Sequence, residues 1–210
     1  DQLNHITGLK RIDEQNHIWM DKFTIKNLEL IYPSNDNGVS LVDIINFTST
    51  PMGSRMIKKW LLFPLKNVQD ISDRLKIVDF FNTKHDLLTN TINFLKDIGD
   101  IERMLAKIST LRISPRELNK FRDSLVLSRD LKTLLTTKTT SSVISSLFDS
   151  YHDCSNLIEI LDQQLDVDAP VVLSKGNIIK SGVNSELDSY RELAISSENI
   201  LEEIKEREIQ

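Results

Sequence analysis

Cysteine is nearly absent from this chain: Cys154 is the only one in 210 residues. A lone thiol cannot close an internal disulfide, so a disulfide framework is excluded and a reducing compartment is the simpler expectation. There is no run of about 18 uncharged apolar residues, and no basic start leads into an apolar stretch, which argues against a membrane span or a secretory signal. Catalytic devices are missing as well. The histidines, His5, His17, His85 and His152, are scattered, and on a helix the His152-x-Cys154 pair would point its ligands about 200° apart. The sequence contains no Gly-x-Ser-x-Gly elbow, His-Glu-x-x-His pair or Gly-x-x-x-x-Gly-Lys-Ser/Thr phosphate loop, so no recognised device here turns over substrate or binds nucleotide.

Charge is present but does not favour nucleic acid. The formal net charge is -5, and all of it resides in residues 184–210, which hold eight acids against three bases. The remainder is balanced, without the clustered cationic stripe that a phosphate-gripping surface needs. With 40% hydrophobic and 27% charged residues the chain has the composition of a globular protein able to bury a core. Its start at Asp1 fits an internal or processed piece.

Helical punctuation is the strongest positive signal. In the run Thr48 to Leu65, Thr50 can cap a helix, Pro51 supplies a helical φ where no donor is needed, and Pro64 forbids continuation. Met52, Met56 and Trp60 share one face of that helix, predicting a buried Trp60 rather than a base-stacking one. Gly53, costly in a helix interior, predicts another backbone passing close by. Asn67 can cap the next helix, with Ile71, Leu75, Val78 and Phe80 or Phe81 on one face, and a further run passes through Leu87, Ile92 and Leu95. Asp100 opens a helix striped by Ile101, Met104, Leu105 and Ile108; its acids Asp100 and Glu102 suit a first turn, and Arg103 can pair locally or with a neighbour. Ser114-Pro115-Arg116-Glu117 is a capping box. The polar stretch Thr136 to Ser142 predicts a loop, and residues 143–165 return to helical spacing.

Two regions read otherwise. His17 to Met20 and Ile25 to Ile31 have the alternation of short strands before the turn cluster at 32–38. Val171 to Leu173 and Asn177 to Ile179 flank Ser174-Lys175-Gly176 and predict a small hairpin. The fold class expected is therefore mainly α, an irregular helical bundle with a few short strands near the N-terminus and one hairpin. Its parts are a mixed segment at 1–47, a helical body at 48–183, and a long helix at 184–210 capped by Asn184.

Thr48, Thr50, Met52, Gly53, Arg55, Trp60, Leu61, Pro64 and Leu65 resemble the signature of the core, or lever, domain of the MutS family of DNA mismatch-repair proteins. The family's Asn-Leu-Glu-Leu, Asp-Ile-Glu-Arg, Ser-Pro-Arg-Glu-Leu and Gly-x-Asn-x-Glu-Leu-Asp stretches are matched in order. They correspond to Asn27, Leu28, Glu29 and Leu30; to Asp100, Ile101, Glu102 and Arg103; to Ser114 through Leu118; and to Gly182, Asn184, Glu186, Leu187 and Asp188. The family's usual Asp two residues before the first threonine is Asn46 here, which loses a charge but keeps a turn-forming cap. The resemblance implies a non-catalytic, helical lever segment that couples mismatch binding to an ATPase domain. ATP and Mg, mismatched duplex DNA and a second subunit are implied for the parent, and little or no DNA binding for the segment itself. It also implies a cytoplasmic, nucleoid-associated location and no membrane. A MutS-type paralogue in recombination or ribosome rescue, or an independent helical scaffold for a protein partner, are the alternatives.

The acids of the last helix repel one another at a carboxyl end, where the helix dipole also disfavours them. Amide exchange should accordingly be slow from Leu187 to Ala194 and fast beyond Leu201 in dilute solution, and uniform protection to the end would count against that account.

Overall fold

A computed structural model of the chain describes residues 16–139 and 141–209, with 198–209 as helical backbone only. Helices dominate it: α1 (Lys22–Asn27), α2 (Leu41–Ile45), α3 (Pro51–Leu62), α4 (Val68–Thr83), α5 (His85–Asp97), α6 (Ile101–Ser109), α7 (Pro115–Thr137), α8 (Ser142–Ser146), α9 (Ser155–Gln164) and α10 (Ser185–Ile209). Two compact units result. One comprises the described residues up to Ile113 together with Lys120–Cys154; the other comprises Ser114–Asn119 and Ser155 onward.

The helix starts follow the local chemistry of the sequence. Thr50 Oγ1 accepts from Gly53 N at 2.9 Å, Asn67 Oδ1 from Gln69 N at 2.8 Å, Asp100 Oδ1 from Arg103 N at 3.2 Å and Asn184 Oδ1 from Leu187 N at 3.0 Å. Each satisfies an amide that the first turn cannot satisfy internally. Ser114 and Glu117 form the reciprocal capping box, as do Ser40 and Asp43. In the first unit, Leu87, Leu135 and Ile144 form a core against which Phe80, Phe81, Leu131, Leu134 and Phe148 pack, so α4, α5, α7 and α8 meet there. In the second unit, Asn119 Nδ2 donates to the carbonyls of Asp166 at 2.7 Å and Val167 at 3.3 Å, fixing the first turn of α7 to the chain after α9.

The expected short strands are not formed among the described residues; two isolated antiparallel bridges, His17 with Leu65 and Leu165 with Ile179, stand in their place. Asp21 accepts from Thr24 N at 2.6 Å and starts α1 between the two expected strands, so that the helix takes in the start of the second. The cap outweighed the alternation that follows it, and Glu29, at φ 49°, then turns the chain before a strand could continue. The hairpin is corrected too. Leu173–Lys175 is a 3-10 turn, and Gly176 (φ 70°) is followed by a second left-handed residue, Asn177 (φ 52°). This leads Ile178–Lys180 onto the end of α9, where Asp166 N donates to Ile178 O at 2.8 Å and Lys180 N to Gln164 O at 2.9 Å. The helical spacing of 143–165 is split into α8 and α9 by turns at 147–150 and the irregular segment 151–154. On α6 Met104 is buried, but Leu105 is half exposed, so the buried stripe is narrower than its spacing suggested.

Ile144 is fully buried in the first unit's core. Ile144→Ala should destabilise by about 2 to 5 kcal/mol in chemical denaturation, whereas Phe47→Ala, at an exposed position, should stay within about 0.5 kcal/mol.

Candidate functional site

The residues around Thr48 to Arg55 make a tightly tied loop and helix start. Asn46 accepts from Thr48 Oγ1 at 2.6 Å and donates through Nδ2 to Ser54 Oγ at 2.9 Å. The amide thus keeps the tie on both sides without a charge. A Cβ on Gly53 would approach Thr48 Cβ and Thr50 Oγ1 to 3.1 Å, so the neighbour that excludes a side chain there is the cap itself, not another backbone. Met52 is half buried on the same helix.

One turn further along α3, Arg55 reaches across 45 residues of sequence to the start of α6. Its Nη1 and Nη2 donate to Asp100 Oδ2 and Oδ1 at 2.8 and 2.7 Å, and its Nε donates to Glu102 Oε2 at 2.9 Å. A bidentate guanidinium–carboxylate pair fixes orientation as well as distance, and Lys could not reproduce it. Asp100 works twice, because the same carboxylate caps α6 and pairs with Arg103 at 3.5 Å. The Arg55 guanidinium, with the Arg103 amide in support, holds the Asp100 carboxyl below the ordinary aspartate range, and Asp100, then Glu102, raises the Arg55 guanidinium. Just before the cap, Gly99 is buried, and its N donates to Ser124 Oγ at 3.0 Å. A Cβ there would meet Met104 Cε at 3.0 Å and Ser124 Oγ at 3.1 Å, so those side chains would have to give by a few tenths of an ångström.

Trp60, also on α3, is not buried as its phase predicts: it is 44% exposed, and Met56 beside it is exposed too. The guanidinium of Arg74 on α4 lies over its ring, 3.8 Å from the centroid, which gives the indole a cation–π partner in place of a core. The 3.6-residue period correctly groups Met52, Met56 and Trp60 but is silent on whether another element covers them. These residues, with Arg55, Lys59, Phe63, His17, Arg74 and Glu102, line an open cleft of about 420 Å³. At its edge the carbonyl of Pro64 accepts from Ile18 N at 2.8 Å.

The remaining signature residues lie elsewhere. Asn27 and Leu28 close α1 and are exposed, while Glu29 accepts from Ser34 N at 2.9 Å. In the second unit Gly182 takes φ 86° and donates its N–H to Asp188 Oδ2 at 2.7 Å, beside the Asn184 cap. Asp188 also pairs with Arg191 at 3.1 Å, and Arg191 Nη2 donates to Ile179 O at 2.8 Å, which fixes the root of α10. Among the described residues no group of three His, Cys, Asp or Glu side chains is placed to hold a metal ion, and no helix is long and apolar enough to cross a membrane. His5 lies outside the described residues. Sequence reasoning missed the Arg55–Asp100–Glu102 contact, the Arg74 stack and the Gly99 approach. All three join segments far apart in sequence, and no local spacing signals them.

The signature residues thus cap, pair and tie helices to one another within a helical domain. The chain belongs to the MutS domain III family, whose model matches residues 23–210. It is 39% identical over 207 residues to a DNA mismatch repair protein MutS of Christiangramia forsetii, and 41% identical over 207 residues to that of Flavobacterium psychrophilum. To the MutS of Cytophaga hutchinsonii it is 37% identical over 209 residues. These alignments take in 99 to 100% of the chain but only 24% of each relative, so the chain spans about a quarter of the length of the proteins it matches.

A carboxylate with a depressed pKa stabilises the fold at pH above its unfolded value, about 3.9, and that stability is lost as pH falls through the lower folded value. Asp100→Asn should therefore lower the melting midpoint at neutral pH and flatten its decline below about pH 4. Arg103→Ala, with an exposed side chain and a longer contact, should cost less. Equal midpoints for Asp100→Asn and the parent chain at pH 7 would mean that the junction does not stabilise the fold.

Proposed function

We propose that this chain is the lever, or core, segment of a MutS-type mismatch-repair ATPase, transmitting strain between a DNA-binding part and an ATPase part that lie outside residues 1–210. The observation that carries this reading is the junction of Arg55 with Asp100 and Glu102. A lever has to change position without changing shape, and a bidentate ion pair seated on a helix cap fixes the angle between α3 and α6 more firmly than apolar contact, which slides. Lever function requires no reactive side chain, in keeping with a site made of caps and mutually neutralised charges.

ATP and Mg would be held by the parent's other domains, since the phosphate loop that would cradle them is not in this sequence. Mismatched duplex DNA and a second subunit are the partners this reading assigns to the whole protein, which would work in the cytoplasm at the nucleoid. The balanced charge of residues 1–183 and the acidity of the rest give these residues little affinity for DNA of their own. On this reading 1–47 is the mixed part of the core, 48–183 its helical body, and 184–210 the arm toward a clamp. The relatives' printed name, DNA mismatch repair protein MutS, supports mismatch repair over a recombination or ribosome-rescue paralogue.

Two measurements test this. In the full-length protein, Arg55→Ala should leave basal ATP turnover close to the parent's and markedly reduce its response to mismatched DNA, whereas Glu102→Gln, which leaves the bidentate pair with Asp100 in place, should reduce it less. An undiminished response would overturn the lever role of the junction. The 210-residue chain alone should show no ATPase activity and only weak, salt-sensitive DNA binding, and tight binding at physiological salt would contradict the assignment.

A further inference from the structure

Within the first unit a cavity of about 530 Å³ opens where α4 passes into α5, bounded on its other side by the last turn of α7. That volume is in the range of sites that take small organic ligands. Its floor is apolar, made by buried Leu87 and half-buried Leu134. Leu87 belongs to the core with Leu135 and Ile144, so the floor is a fixed surface. Lys84 and His85 line the cavity from the α4–α5 link, and Lys138 from just beyond α7. Elsewhere in this unit cations are committed: Arg55 to Asp100, Arg74 to Trp60, Lys76 to Asp73 and Lys132 to Tyr151. No ion pair among the described residues holds Lys84, His85 or Lys138. Uncompensated cations gathered on one apolar floor attract an anion to it.

We infer that this cavity binds a mononucleotide, a phosphate ester carrying one sugar and one flat base. The two ammonium groups and an imidazole N–H of His85 hold the phosphate. Asp86 lines the same cavity and repels a bare inorganic anion; it accepts instead from the vicinal hydroxyls of a ribose, as acids do in nucleotide sites. Asn90 stands four residues on, along the same face of α5, and its amide offers both a donor and an acceptor to the edge of a base. Leu87 and Leu134 take the apolar face of that base. From Lys84, at the head of α5, to Asn90 the helix advances about 9 Å at 1.5 Å per residue, which lays out phosphate, sugar and base in that order. One phosphate suits the charge. Two lysines against one acid leave too little for a triphosphate, and no group of three His, Cys, Asp or Glu side chains among the described residues is placed to hold its metal ion. A ligand held by Lys84 and Lys138 together ties the α4–α5 link to the end of α7, so occupancy stabilises the fold. Binding here is without turnover and is independent of the lever role.

Calorimetric titration of the 210-residue chain, which has no phosphate loop to compete, compares AMP, adenosine and inorganic phosphate. AMP should bind at one saturable site, more tightly than either of the other two, and raise the melting midpoint. The double variant Lys84→Ala, Lys138→Ala should weaken it by roughly tenfold or more, since each lysine contributes a charge-assisted hydrogen bond. Lys96→Ala, on the same helix but outside the cavity, should not. In amide spectra of the parent chain AMP should move residues 84–90 and 134–138, a readout that stands even if the double variant does not fold. Absence of saturable binding, AMP no tighter than phosphate, undiminished affinity in a folded double variant, or shifts confined to other residues would each overturn the inference. A second arm uses the full-length protein with its phosphate loop filled by a non-hydrolysable ATP analogue. Irradiation with 8-azido-AMP should then label residues 83–90 or 134–138, and labelling only elsewhere would likewise overturn it.

Discussion

Arg55 can lie where it does only if three separate local structures are in place. The Thr50–Pro51 start must set the phase of α3, the Gly99 approach must bring the chain against α7, and Asp100 must begin α6. The ion pair is in that sense the readout of the first unit's assembly. It also feeds back on it, because a carboxylate that caps a helix and receives a guanidinium is stabilised in its charged form by both. Breaking the pair leaves Asp100 able to cap but free to swing, so the loss falls on the angle between helices more than on the existence of either. Under the lever role proposed above, a pair with a partly exposed arginine would matter for transmitting motion while contributing modestly to stability.

What was legible in the sequence was what is local. Thr50, Asn67, Asp100, Ser114 and Asn184 each sit next to the amides they satisfy, and the chemistry of a first turn is complete within four residues. The family signature was legible for the same reason, being a string of such local devices. Coverage was not legible. The period that put Trp60 with Met52 and Met56 holds, but an aromatic ring satisfied by Arg74 from across the Pro64 turn looks the same in sequence as one satisfied by a core. The alternation at 17–31 failed in a related way, since an Asp21 cap within hydrogen-bond reach of its own helix start wins over a strand that has no partner to pair with.

The buried side chains show how such a domain keeps its shape. Among the described residues the largest side chains that are wholly buried are Ile144, Val42, Ser40 and Ser124, so small hydroxyls are as deep as aliphatic groups. Each hydroxyl is committed: Ser40 to Asp43 at 2.6 Å, and Ser124 to the Lys120 carbonyl at 2.7 Å while accepting from Gly99 N. A buried polar group tolerates only the geometry that satisfies it, because a lost partner costs about 1 to 3 kcal/mol, whereas an aliphatic contact can shift by an ångström at little cost. Hydroxyls committed in this way hold the geometry around them more tightly than aliphatic packing would. Such fixed geometry suits the lever role proposed above, in which the domain keeps its own angles.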